Sequence, residues 1–307
     1  MQELSDMVPG PSRSQSSTFL LEQPAPQPAQ VLQSPARPPY IEQGIALWER
    51  ARAFIEAQEA ASRAFLADLA MLELADYRLQ EALGLRHSAD ERNLQLLREV
   101  IDGVFMFAAR EFGPDGRAID IDRDQFADSV KAFPPDHQNW RDLDLGPLWE
   151  AIQAAYGGDS GKEEGYRQIA GGLVEGFSLA RETPQQRSGR LIINHSVWCD
   201  DFDKKHAGKN RLSYQSLDRL GKLISNLEAF CAWADVPAAH GLQAIIERFS
   251  YGLNSHFQSR EKHLVVGGRI QLTCFQSRFE FSLAPELGEQ LQVFVSTYGQ
   301  RALNRGR

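Results

Sequence analysis

The residues most able to do chemistry lie together in one stretch, IINHSVWCDDFDKKH, which runs from Ile192 to His206. It contains two histidines, one cysteine, three aspartates and two lysines. Zinc sites in proteins use about four nitrogen, sulfur or oxygen ligands. His195, Cys199, Asp203 and His206 are therefore candidate ligands for a metal ion.

The same stretch has the residue types of a metal-dependent hydrolase, for example a nuclease. Such enzymes hold a divalent ion and use it to activate water, and Asp201, Asp203 and Lys204 supply carboxylates and a lysine. The sequence shows no clear strand at these positions and no second ligand cluster elsewhere. We keep hydrolysis centred on residues 195–206 as an alternative hypothesis and assign no catalytic residue.

A basic loop follows and leads into a helix that is predicted to begin near Ser213. Helix N-termini carry free amide donors and positive potential, so phosphate groups bind there readily. This pattern predicts sequence-independent contact with nucleic-acid phosphates rather than base readout. A solvated basic loop without a ligand would have the same composition. The candidate nucleic-acid-binding residues, which include two arginines on predicted strands, are Lys204, Lys205, Lys209, Arg211, Arg269 and Arg278.

Charge is distributed unevenly along the 307 residues, whose net charge is −8. Residues 1–164 contain 15 basic and 28 acidic residues, a net of −13, and residues 165–307 contain 18 and 13, a net of +5. A basic C-terminal half permits an acidic partner such as nucleic acid. Attraction between the two halves, or solvation of the fold, would explain the same distribution.

Several classes of protein are disfavoured by the composition. No apolar run approaches the ~18 residues that can span a bilayer, and the N-terminus lacks the pattern of a signal peptide. The three cysteines are odd in number and widely spaced, so they predict neither a disulfide framework nor a paired-cysteine metal motif. We therefore expect a cytoplasmic protein without membrane contact.

Two loops imitate cofactor sites but lack required residues. Residues 120–131 begin like a calcium loop, yet Gln125 stands where glycine is needed and Lys131 where a bidentate glutamate is needed. The glycine-rich segment near residue 157 imitates a phosphate-binding loop, yet Tyr156 and Glu163 occupy its first and last positions. We therefore predict no cofactor.

The elements that must position these residues begin with a tail and a helical region. Residues 1–40, with eight of the fifteen prolines, are expected to be disordered. Residues 41–160 are predicted to be helical, with a long helix over 43–83, a second helix opening at Ser88 and an acidic irregular loop. A heptad pattern in the long helix is typical of a coiled-coil dimer or of a helix packed on its own core. The heptad residues are Trp48, Ile55, Leu69 and Leu83, with Ala51, Phe65, Leu72 and Leu79.

Residues 161–307 are predicted to form a domain of helices and strands. Helices are expected over 165–181, from the N-cap residue Ser213 to about Ala234, and over about 239–250. The run Arg190–Ile193 is apolar and short, which is typical of either a strand or the start of a helix.

The hydrophobic period changes to two after residue 264. Alternation on both sides of Gly267-Gly268 predicts strands joined by a two-residue turn. A final helix from Pro285 would cover the apolar face of this small antiparallel meander. The predicted fold class is therefore α+β, with a mostly helical N-terminal region and C-terminal helices packed on the meander.

Three features of the C-terminal half resemble a bacterial family, the domain of unknown function numbered 4942. They are the helix ending LVEGF at Phe177, the run Arg190–Ile193 before a polar loop, and the order of Gly-turn, strands and helix from Gly267. The resemblance covers Tyr166 to about Tyr298. It implies a protein of plasmids, prophages or integrated elements, in a family sometimes fused to a DNA adenine methyltransferase domain.

These patterns lead to three hypotheses about function. The first is a non-enzymatic accessory protein of a mobile element, which binds nucleic acid or a DNA-modification partner through its basic C-terminal domain. The second is the metal-dependent hydrolase centred on residues 195–206. The third is a structural oligomer formed by the helix at 43–83.

Overall fold

Helices fill the first part of the chain and a single sheet follows, in the α+β arrangement predicted from the sequence. A computed structural model describes residues 38–71, 78, 89–200, 209–236, 239–250 and 255–305. The predicted disordered tail lies, up to residue 37, outside the described residues. Two hydrophobic clusters occupy the described part, one formed by residues 41–156 and the other by residues 169–295.

Helix α1, Pro39–Met71, begins four residues before its predicted start. Proline is favoured at a first helical position because it has no amide hydrogen to leave unpaired. The predicted continuation to residue 83 lies outside the described residues, apart from residue 78. Within the heptad pattern, Trp48 is buried edge-on against Trp140 at 6.3 Å, whereas the Phe65 side chain is 49% exposed.

Helices α2, Ala89–Phe112, and α3, Leu145–Tyr156, contribute to the first cluster, as do buried residues of the segment between them. Leu97 and Phe105 are buried on the apolar face of α2. The acidic segment between the two helices contains only short 3-10 turns, as predicted for an irregular loop.

Helices α4, Asp159–Gly176, and α5, Tyr214–Trp233, cross at close range. A Cβ atom on Gly172 would lie 2.1 Å from the side-chain amide of Asn226, and a Cβ atom on Gly176 would lie 2.7 Å from Leu223. A side chain at either position would displace the end of the Asn226 or Leu223 side chain. Helix α4 starts and ends earlier than the predicted 165–181, while α5 matches its prediction closely.

The sheet is antiparallel and has the order β1-β2-β5-β4-β3. The predicted meander is its β3-β4-β5 part. The run Arg190–Ile193, for which the sequence allowed a strand or a helix, is part of strand β2, which pairs with β5. The strands are β1 Gln185–Arg187, β2 Arg190–Ser196, β3 Glu261–Val265, β4 Ile270–Cys274 and β5 Arg278–Leu283.

The predicted two-residue turn at Gly267-Gly268 is wrong, because the loop has four residues. The last strand pair is Val265 with Ile270, and the amide of Arg269 donates to the carbonyl of Val266 at 3.1 Å. Gly267 and Gly268 have φ of 61° and 81°, a left-handed region that glycine enters without steric cost. The two glycines therefore mark the turn correctly but not its length.

Alternate residues divide the sheet into two faces. One face is apolar, carries fully buried residues such as Phe279, Phe281 and Leu272, and packs against helices. Helices α6, Gln243–Phe249, and α7, Pro285–Tyr298, lie against this core as predicted, and a further helix α8, Gln300–Arg305, was not predicted. The other face carries the basic strand residues, whereas Glu261 and His263 of β3 lie on the apolar side.

Loss of the Ser213 side-chain oxygen is expected to destabilise the fold, because this oxygen accepts from the Ser216 amide at 3.3 Å and caps α5. S213A should lower the free energy of unfolding by about 1 kcal/mol, measured by urea denaturation. S213D keeps an acceptor at this position and is the matched control. An equal loss in both variants would show that capping is not the reason.

Candidate functional site

His195 is a buried polar residue on the apolar face of the sheet, and its side chain is 4% exposed. Its Nδ1 lies 2.7 Å from the carbonyl oxygen of Gly176, at the end of α4. A carbonyl oxygen can only accept, so Nδ1 carries the proton and Nε2 of the neutral ring carries a lone pair. Within the described part of the chain, Nε2 has no hydrogen-bond partner.

The environment of His195 favours the neutral ring. Burial lowers the pKa of His195, the Gly176 carbonyl raises it by a smaller amount, and the positive charge of Arg219 lowers it further. Burial disfavours a charged imidazolium. The ring therefore presents Nε2 as a hydrogen-bond acceptor at neutral pH.

A cavity of about 400 Å³ lies beside His195, between α4, α5 and the end of β2. Arg219, Lys222 and Asn226 reach it from one face of α5, since helical residues three to four apart are neighbours. From α4, the glycines at the close helix crossing and Glu175 line the same space. The cavity was not predictable from sequence because it depends on how closely these helices cross.

The two cations of the cavity differ in their surroundings. The Arg219 guanidinium lies over the indole ring of Trp198, 5.1 Å from its centroid, an arrangement that favours a cation electrostatically. Lys222 Nζ lies 2.9 Å from a carboxylate oxygen of Asp218, with both side chains largely exposed. Such exposed pairs are weak, so Lys222 remains able to contact a ligand.

The predicted metal ligands do not form a site among the residues that the structure describes. His195 uses Nδ1 for Gly176, and the Cys199 thiol lies 3.2 Å from the carbonyl of Gln276. Asp203 and His206 lie outside the described residues, as do Asp201 and Lys204 of the hydrolase hypothesis. No group of three or more histidine, cysteine, aspartate or glutamate residues in the described ranges could hold a metal ion.

The other two cysteines are core residues. Cys231 and Cys274 are both fully buried, and burial raises the pKa of each thiol to about 12. Thiols with such a pKa stay protonated at neutral pH and are poor nucleophiles.

The predicted basic residues lie at two different ends of the sheet. Lys204 and Lys205 are outside the described residues. Lys209 is exposed, and the carbonyl of Arg211 accepts from the Asp200 amide at 2.8 Å. Arg278 lies at the same end of the sheet as Arg211. The amide of Val197, just before Asp200 in the chain, donates to the carbonyl of residue 277, next to Arg278.

Arg269 lies at the opposite end of the sheet from Arg278, so the two arginines do not form one surface. Its carbonyl accepts from the amide of Ala284, which follows β5, whereas Arg278 begins that strand. At about 3.4 Å per residue, a strand of this length separates its ends by about 17 Å. Arg269 and Arg278 are therefore exposed at separate ends of the same sheet.

Sequence reasoning missed a set of cations that the strand register brings to one side. Arg187, Arg190 and Lys262 alternate onto the same face as Arg278, opposite the helices. Glu280 is the acidic residue that the described strands place on this face. We call these four basic residues the basic face.

The side chains of the basic face differ in how firmly their contacts hold them. The Arg190 guanidinium donates to the Ser282 hydroxyl at 2.8 Å, to the Ser282 carbonyl at 2.7 Å and to the Arg269 carbonyl at 3.0 Å. It is therefore held flat on the sheet. Arg187 is 3.8 Å from the Glu280 carboxylate and its side chain is 64% exposed, so this ion pair is screened by water.

Comparisons with protein-family models, with curated proteins and with solved structures give no match to this chain. No helix in the described ranges is both long and apolar enough to cross a membrane. Function is therefore inferred from the chemistry of the basic face.

Protonation of His195 is expected to oppose folding in mild acid. Because the native pKa is lowered, the unfolded chain takes up the proton first as the pH falls below about 6.5. The native state is then destabilised by at most about 1.4 kcal/mol per pH unit. H195N keeps a donor for Gly176 but cannot take up this proton, so its free energy of unfolding should fall less between pH 7 and pH 5.

The measurement is chemical denaturation at several pH values, with H137N as the control because His137 is exposed. Parallel pH profiles for H195N and the unmodified protein would contradict a neutral, buried His195.

Proposed function

We propose that the basic face binds the phosphate backbone of nucleic acid, in a non-enzymatic accessory protein. The observation that carries this proposal is the excess of positive charge on one side of the sheet, where the described strands place four basic residues and one acidic residue, Glu280. Phosphate contacts of this kind position a protein on nucleic acid without reading its sequence.

The spacing of the basic face suits an extended polyanion. Arg187 lies on β1 and Lys262 on β3, which are four strand positions apart. At roughly 4.8 Å per step, the two strands are about 19 Å apart. A strand of nucleic acid that crosses the sheet would present several phosphates over this distance.

Two properties of the face suit a phosphate ligand. Arg190 is already fixed by the sheet, so its ordering adds little to the entropic cost of binding. Lys262 and Arg278 are exposed, and Arg278 lies 5.1 Å from the ring centroid of Phe275, which positions its guanidinium without neutralising it.

The cellular setting is part of the same proposal. The likeness to the domain of unknown function numbered 4942 suggests a cytoplasmic protein of a bacterial mobile element, with DNA or a DNA-modification protein as its partner. The positive charge of residues 165–307, against the negative charge of residues 1–164, supports an acidic partner for the C-terminal half.

The test is fluorescence anisotropy of the full chain with labelled single-stranded and duplex DNA over a salt series. Replacement of Arg187, Lys262 and Arg278 by Ala should weaken binding to both and lower the slope of log K against log salt by up to about three, since each lost phosphate contact contributes roughly one unit. Replacement of Lys162, Arg301 and Arg305, which removes the same charge elsewhere, is the matched control.

Two results would reject the proposal that the basic face binds nucleic acid. One is an absence of binding at low salt, and the other is equal weakening by both triple variants, which would show that net charge alone acts. A preference for one DNA form that survives both sets of substitutions would point to another surface.

Exposed apolar residues on α1 favour self-association as a second candidate function. Leu47, Phe54 and Phe65 are 58%, 70% and 49% exposed. With 3.6 residues per turn, positions 7 and 18 residues apart lie on nearly the same side of a helix. This stripe includes Phe65 of the predicted heptad, and it suits the homo-oligomer proposed for residues 43–83.

Substitution of the stripe should therefore abolish any dimer. F54E with F65E places charges where a second copy would pack, so we expect the mass from sedimentation of the full chain to halve. M106E is the control, because Met106 is 61% exposed on α2. An unmodified protein that sediments as a monomer up to high micromolar concentration would refute self-association.

A further inference from the structure

We infer that the basic face binds a single strand of nucleic acid and discriminates against a duplex. This inference rests on the proposed function and adds to it the form of the ligand. Three features carry it, namely the breadth of the sheet, the contact between Arg278 and Phe275, and the position of Glu280 among the cations.

The breadth of the sheet limits how it can meet a duplex. Helices α4, α5 and α7 pack on the apolar side, so a ligand of the basic face lies on the opposite side of the strands. Five hydrogen-bonded strands span about 19 Å at roughly 4.8 Å per step. The grooves of B-form DNA are only about 12 Å and 6 Å wide. The sheet therefore meets a duplex at its outer phosphates, whereas a flexible single strand can also lay its sugars and bases on the sheet.

Arg278 and Phe275 form a stacked pair at one end of the basic face. They are cross-strand neighbours, because the Phe275 amide donates to the Arg278 carbonyl at 2.9 Å, and the guanidinium lies 5.1 Å from the ring centroid. Arg278 is exposed and Phe275 is partly exposed. The bases of a single strand stack on aromatic rings and on guanidinium planes. In a duplex the bases are already paired and stacked on one another, so the pair favours a single strand.

Glu280 lies on the same side of β5, the middle strand of the sheet. It is two residues from Arg278, about 7 Å away, and two strands from Lys262, about 10 Å away, with Thr273 between them. Its side chain is 13% exposed, and the Arg187 guanidinium lies 3.8 Å from it, beyond hydrogen-bond distance. A ligand that spans the sheet from Arg187 to Lys262 therefore passes over a carboxylate.

This carboxylate acts against a duplex more than against a single strand. The phosphates of a duplex are held along a stiff helix, so a duplex on the outer cations has little freedom to move its phosphates away from Glu280. A single strand can turn its backbone at this point and place an uncharged base or sugar over the carboxylate. Repulsive groups that penalise the wrong ligand are a common source of specificity. Glu280 therefore favours the single strand, although it lowers the positive charge of the face.

Fluorescence anisotropy of the full chain tests the preference with a mixed-sequence single-stranded DNA of about 16 nucleotides and the duplex of the same sequence. We expect the single strand to bind about tenfold more tightly at equal salt, since the stacking of one base contributes roughly this factor. F275L keeps an apolar side chain but removes the ring, so it should remove most of this preference and leave duplex binding unchanged. F54L is the matched control, because Phe54 is exposed on α1.

A second variant tests the carboxylate. E280Q should strengthen duplex binding more than single-strand binding and narrow the preference about threefold, the effect of one screened charge. E289Q removes the same charge from an exposed position on α7 and should leave the preference unchanged. Should F275L unfold the chain, F275W gives the answer, because the fluorescence of its added indole should be quenched by the single strand and not by the duplex.

The outcomes separate the form of the ligand from the proposed function. Equal binding of both forms, weakened for both by substitution of Arg187, Lys262 and Arg278, keeps the basic face as a nucleic-acid surface and overturns the single-strand inference. A preference for the single strand that F275L and E280Q both leave intact overturns it as well, because the stacked pair and the carboxylate are its basis. An absence of binding to either form at low salt rejects the proposed function and the single-strand preference together.

Discussion

The pairing of β2 with β5 is the constraint on which the rest of the C-terminal half depends. Six residue pairs, from Leu191 with Leu283 to Ser196 with Arg278, join a strand that follows α4 to the last strand of the meander. Every pair links positions more than 80 residues apart in the sequence. The pairing extends the apolar face so that α4, α5 and α7 share one core, and it sets Arg190 and Arg278 on the opposite side.

Local sequence signals predicted the parts of this fold that depend on neighbouring residues. The N-cap at Ser213, the alternation around Phe279 and Phe281, and the proline that begins α7 each report on backbone geometry within a few residues. The length of the glycine turn was missed because the position of the last strand pair, and not the glycines, decides it. The strand at Arg190–Ile193 was left open because a short apolar run fits either structure.

The candidate sites were less predictable for a related reason. His195 was singled out as a metal ligand from its sequence neighbours, yet the groups that surround it come from α4 and α5, at least 19 residues away. The basic face was missed because the sequence does not show which strands are neighbours. Without the strand register, basic residues on different strands cannot be assigned to one surface. Arg269 and Arg278 were grouped as nucleic-acid-binding candidates because both fit the strand pattern, although they lie at opposite ends of β5.

Strand β2 contributes to both sides of the sheet, since His195 faces the cavity while Arg190 and Asn194 face the other way. A side chain in a strand has only these two directions, and a shift of one residue exchanges them. A slip of the whole strand by one residue against β5 would therefore turn His195 away from the core and Arg190 toward it in one event. A substitution can alter one face of β2 at a time, whereas a register slip of the whole strand would disrupt both faces together.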